Sequence, residues 1–333
     1  MMANQLRIDP TRTTLLRRQF IADMVRRFKK ISKALTELIV NDDAFGLKTE
    51  SNLMSFQQVE IQAWRFQTNT QKVASYRKWL KLQIDAEILT PIGGLSGKPW
   101  TAPYIESAYQ KGAIRSYTDL RAEDLALVDD KTFIGGKKEF LRQAFGQPIA
   151  QQKVETLYTR AFTELEGVTA AMDQQMSRIL ADGLIQGRGP AYIARELRNN
   201  VTKLTNTRAK VIARTEVIRA HAEGQLDAYE LLGVQEVGVR AEWSTAGDDL
   251  VCPMCGPLEG VVMTIKEARG LLPRHPNCRC MWIPALTDKK EKGQLWGKKR
   301  KPAIKKSISA EFPNETAKVA KGRSLWYAKD KKF

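Results

Sequence analysis

The strongest constraint on this chain is where its soft metal-binding side chains lie. It contains four cysteines and two histidines, and every one except His221 falls between positions 252 and 280. The order is Cys252-Pro-Met-Cys255, followed by His275-Pro-Asn-Cys278-Arg-Cys280. A tetrahedral Zn²⁺ takes four N or S ligands from two short, sharply turned segments. A C-x-x-C facing an H-x-x-C or a C-x-C supplies them. Pro253 and Pro276 favour turns beside the ligands, and Asn277 tolerates a left-handed backbone. Cys252, Cys255, His275, Cys278 and Cys280 compete for four positions, so a four-cysteine site and a three-cysteine, one-histidine site both stay open. A closed set of either kind is structural, because catalysis needs an open coordination position. The expectation is one structural zinc.

With 333 residues the chain has room for about two domains. Its formal net charge of +17 points to an anionic partner, nucleic acid before membrane. That charge is unevenly placed. Between Asp288 and Phe333 there are 15 Lys and Arg against 5 Asp and Glu, a surplus of ten. This stretch reads as a basic, flexible tail, with Lys298, Lys299, Arg300, Lys301, Lys305 and Lys306 as candidate nucleic-acid contacts. The N-terminus shows no charged-then-apolar pattern, and no run of ~18 apolar residues occurs, so neither secretion nor a membrane span is expected. The thiols are then expected in a reducing compartment, where metal ligation outcompetes disulfide pairing.

Periodicity makes most of the chain helical. Leu16, Phe20, Met24, Phe28, Ile31, Leu35 and Leu38 recur at three- and four-residue steps, with basic residues around the rest of that helix. Further helices are expected over about 71–89, 103–121 and 148–184, then a short one to Arg198 and a longer one from Asn206 to Leu232. Beyond Gly233 the texture turns β-rich, around 237–243, 260–264 and 281–284. The fold class expected is α+β: a mostly helical N-terminal part, then a small β-rich zinc-knuckle unit packed on a long helix. A sheet of that size has little core, so a metal cross-link contributes much of its folding free energy. The regions expected are 1–147 (helical), 148–286 (helix plus knuckle) and 287–333 (tail).

Other polar groups read less sharply. Asp248, Asp249 and Glu259 with His275 sketch a metal-dependent nuclease, but Asp after Gly247 is ordinary turn chemistry. Arg214 and Glu216 sit on the helix before the sheet and suit a pair that docks helix to knuckle. His221 reads as a helix-surface or interface residue. There is no glycine-rich phosphate loop, no G-x-S-x-G and no aromatic RNA-binding motif, so no small-molecule substrate is expected.

The order of these features is similar to a known family. Leu184 to Ala194, Ile212-Ala-Arg-Thr-Glu216, Gly224, Trp243, Asp248 to Cys255, Leu258-Glu-Gly260 and His275 to Cys280 follow one another. Over about 150–286 this resembles the phage Mu F-like minor head proteins of tailed bacteriophages. The resemblance implies a minor capsid protein active in head morphogenesis, not an enzyme. Its partners would be the portal protein and capsid or scaffold proteins, and its location the capsid interior, after assembly in the host cytoplasm. Residues 1–147 would be the portal or capsid contact. A basic tail beside packaged duplex DNA implies sequence-independent, salt-sensitive binding. The alternatives are a metal-dependent nuclease and a zinc-containing DNA-binding protein.

Overall fold

The computed structural model describes residues 9–46, 68–89, 97–122, 137–146, 148–231 and 240–285. The basic tail lies outside them. The helices are α1 (Thr14–Thr36), α2 (Asn69–Ile84), α3 (Ala102–Ala122), α4 (Lys137–Gly146), α5 (Pro148–Ile185) and α6 (Pro190–Leu231). Single π-helical turns, Glu37–Asn41 and Asp85–Leu89, extend α1 and α2. Three strands follow, β1 (Arg240–Ser244), β2 (Val262–Met263) and β3 (Met281–Ala285), with a one-turn helix α7 (Ile265–Ala268) between the last two. The chain is therefore α+β, mainly helical with one small antiparallel sheet. No helix among the described residues is long and apolar enough to cross a membrane.

Chain contacts divide the protein into two units. One comprises 19–100 and 160–210, the other the described parts of 1–18, 101–159 and 211–333. In the first, the apolar stripe of α1 from Phe20 onward is buried. Phe20 meets Trp100 edge-on at 5.8 Å, and the Arg27 guanidinium lies 4.4 Å from the same ring. The Trp100 indole N–H donates to the Ile88 carbonyl, so a large buried aromatic keeps its one donor satisfied. Leu165, Met172, Met176 and Leu180 of α5 continue the buried stripe at helical spacing.

Residues 190–231 form one uninterrupted helix, where the sequence suggests a break between Arg198 and Asn206. Asn199-Asn200 and the threonines that follow are weak helix formers. Packing overrides them: Val201 and Thr205 are buried, and the Thr205 hydroxyl donates back to the Val201 carbonyl one turn earlier.

The second unit holds the sheet, in the order β2-β1-β3. Trp243 pairs directly with Trp282 across β1 and β3, and their buried rings meet edge-to-face at 5.3 Å. The sheet sits on α6. The Gln225 amide donates to the Trp282 carbonyl at 2.6 Å and accepts from the Trp282 N–H at 3.2 Å. One buried side chain thus completes the free edge of β3 as a neighbouring strand would. Arg269, just past α7, binds Glu223, Asp227 and Glu230 of α6. α3 crosses α6 with backbones in contact. A Cβ at Gly224 would overlap the Tyr109 carbonyl, and one at Gly112 would overlap the His221 carbonyl.

Gly224→Ala is expected to lower stability by about 1–3 kcal/mol or more, because the overlap is with backbone, which yields little. Gly167→Ala on α5, where an added Cβ meets nothing within 4 Å, is expected to raise it by about 1 kcal/mol. Thermal melting of the two variants checks both signs.

A candidate metal centre

Two tight turns deliver the donors. Cys255 and Gly256 both donate backbone N–H groups to the Cys252 carbonyl, curling the C-x-x-C back on itself. In the second segment Cys278 N–H closes on the His275 carbonyl, and Asn277 takes φ +64°, the left-handed value this turn requires. β1 leads into the first turn, and Cys280 immediately precedes β3. All five predicted donors meet there. Cys252, Cys255 and His275 form one group and Cys255, Cys278 and Cys280 another, the ligand atoms of each group lying within 4.8 Å of one another. Cys255 belongs to both. Cys255, Cys278 and Cys280 are buried and Cys252 is partly exposed.

The chemistry of this set fits a soft divalent cation. The His275 Nδ1 lies 2.7 Å from the Pro276 carbonyl and donates to it. Nε2, the nitrogen left to face a metal, lies 3.0 Å from Cys252 Sγ and 3.3 Å from Cys255 Sγ. A histidine whose far nitrogen is fixed by a carbonyl is the usual orientation for metal ligation. Tetrahedral zinc geometry puts S and N ligands about 3.5 Å apart, close to these separations. The thiols also share protons unevenly. A hydrogen bond from Cys255 draws the Cys252 thiol down to about 4, and those from Cys255 and Cys280 hold Cys278 far below its usual range. Cys255 and Cys280 are pushed up in exchange. Clustered thiolates of this kind are stabilised by a bound cation. Four of Cys252, Cys255, His275, Cys278 and Cys280 would hold the ion, which would cross-link the two turns.

The carboxylates around the cluster have structural partners. Asp248 takes both guanidinium nitrogens of Arg279, at 2.6 and 2.5 Å, and also accepts the Leu250 N–H. A two-pronged ion pair therefore ties the residue between Cys278 and Cys280 to the approach to Cys252. Glu259 accepts the Thr245 N–H at 2.6 Å. Asp249 is exposed. These are the groups a nuclease reading would employ, and two of the three hold backbone or side-chain donors of the fold.

On α6, Glu216 is buried and pairs with Arg219 at 3.4 Å. A direct tie from that helix to the knuckle comes from the residue between the predicted pair: the Thr215 hydroxyl accepts the Asn277 N–H. His221 is fully buried rather than a surface residue. Lys298, Lys299, Arg300, Lys301, Lys305 and Lys306 lie outside the described residues. Sequence reasoning missed Thr215, Gln225, Arg269 and Arg279. Only Arg279 carried a signal, a lone cation inside C-x-C that needs a counter-charge once the strands close.

Residues 174–283 match the model of a family described as phage Mu protein F like protein. The matched stretch contains the cluster, β1, β2, the start of β3 and the α6 residues that bind the sheet. No curated protein matches, and no solved structure does.

Because Cys255 serves both donor groups, Cys255→Ser is expected to abolish metal retention and Cys252→Ser to weaken it. Metal content and thiol reactivity before and after chelation read both. A second expectation concerns acid. Burial holds His221 down to about 4; Asp9 opposes this, while Arg115 and Arg17 add to it. The unfolded chain takes up that proton near pH 6.5, so the folded state is favoured above it and loses about 3 kcal/mol as pH falls towards 4. His221→Gln is expected to remove that share, giving a smaller fall in melting temperature between pH 7 and pH 4.5 than the parent shows.

Proposed function

Because residues 174–283 match the model of the phage Mu protein F-like family, we propose that this protein is a head-morphogenesis component of a tailed bacteriophage. It serves as a minor capsid protein on the capsid interior, in contact with the portal and with capsid or scaffold proteins. The family match carries this reading. The knuckle supports it, because a structural cross-link suits an assembly part. In this reading four of the five donors close around one zinc, which leaves no open coordination position for chemistry. The protein works as a scaffold piece and not as an enzyme. Residues 148–286 form the functional unit, and 1–147 contribute the portal or capsid contact.

The tail from 287 to 333 associates with packaged DNA through its lysines, without sequence preference. A surplus of ten positive charges in a short stretch supports that role.

The direct test is mass spectrometry of purified particles of the phage that encodes the chain. The protein is expected in mature heads at far below the stoichiometry of the major capsid protein. Its absence from both heads and proheads overturns the proposal. Deleting 288–333 is expected to weaken binding to duplex DNA at low salt while leaving metal content unchanged. Unaltered affinity would remove the tail from the DNA contact.

A further inference from the structure

The first half of α6 carries a row of cations that neither the knuckle nor the tail accounts for. Between residues 183 and 215 the only acidic residue is Glu196. Over the same span Arg188, Arg195, Arg198, Lys203, Arg208 and Lys210 are all exposed. Because the helix runs unbroken from Pro190, their bearings follow from about 100° per residue. Arg195, Arg198, Lys203 and Lys210 fall within an arc of about 140°, with the exposed Asn199, Thr202 and Asn206 and the buried Ala209 between them. Glu196 lies at the edge of that arc, 3.7 Å from Arg195. Lys203 and Lys210 have no acidic partner among the described residues. At the start of the row Tyr192 is 39% exposed, with the Arg188 and Arg195 guanidinium groups 5.0 and 5.2 Å from its ring centre.

The geometry points to a phosphate-backbone contact for duplex DNA along this face of α6. Arg195 to Lys210 spans about 22 Å of helix axis, the length of six or seven base-pair steps. The exposed fill between the cations is amide and hydroxyl, which are phosphate-binding groups in sequence-independent contacts. An acidic protein partner fits less well. Protein interfaces are anchored by buried aromatic and aliphatic side chains, and in this arc Tyr192 is the only large one. The contact is separate from the tail and does not depend on the phage-head reading. All of its residues belong to one of the two units, so it is formed within that unit.

The test is binding of the full chain to a random-sequence duplex of about thirty base pairs over a range of salt concentrations. The variant is Arg195→Gln/Arg198→Gln/Lys203→Gln/Lys210→Gln. Each phosphate contact contributes about 0.9 to the slope of log affinity against log salt, so the slope is expected to fall by about three to four. Low-salt affinity is expected to fall by more than tenfold. The four side chains are exposed, so melting should not change. If the quadruple variant melts early, Lys203→Gln/Lys210→Gln is read instead, with an expected slope change of about 1.8. Slope and affinity equal to the parent's overturn the proposal, as does intact DNA binding with lost affinity for poly-glutamate. The tail deletion is scored separately: a failure there leaves this face untouched, and a failure here leaves the tail's role untouched.

Discussion

At Gly112 and Gly224 two helices meet backbone against backbone, and the rest of the sheet-bearing unit is arranged around that contact. Because neither glycine has a side chain, α3 presses onto α6 between His221 and Gln225. His221 is buried there without charge. Gln225 is left with its amide aimed at the edge of β3, and its own carbonyl is taken by the Ser116 hydroxyl of α3. Two residues further on, Asp227 accepts from Tyr109, Lys153 and Arg269. A single close approach thus fixes the side of α6 on which a small sheet can be assembled.

That sheet cannot supply its own stability. Three short strands bury Ala241, Trp243, Val262, Met263 and Trp282, and few other side chains. Two outside restraints make up the difference. On one side α6 contributes Thr215, Gln225 and the carboxylates around Arg269. On the other, five N and S donors converge from two turns, and the Asp248–Arg279 pair holds the turns in register. The donor cluster and the helix therefore both restrain the same three strands. Losing either leaves a sheet with too little core to persist.

The sequence made the cluster legible because metal ligation demands particular residue types at particular spacings, and both survive in a linear string. The helices were legible for a similar reason: the seven-residue apolar stripe of α1 is buried at every predicted position. The continuity of α6 was not. Local propensity around Asn199 and Asn200 argues for a break, and only the burial of Val201 and Thr205 carries the helix through. The basic face depends on that continuity, since two separate helices would not hold Arg195 and Lys210 on a common bearing.

The residue string by itself determined the α+β class, the five candidate donors and the uneven charge, because these rest on composition, period and spacing. Tertiary structure decided which donors share Cys255, which carboxylates are engaged, and which residues of α6 touch the sheet. Thr215 meets the knuckle through the Asn277 N–H, and His221 is interior. Such pairings join residues about sixty positions apart. They follow from where helices cross and strands end, and no local pattern in the chain encodes that.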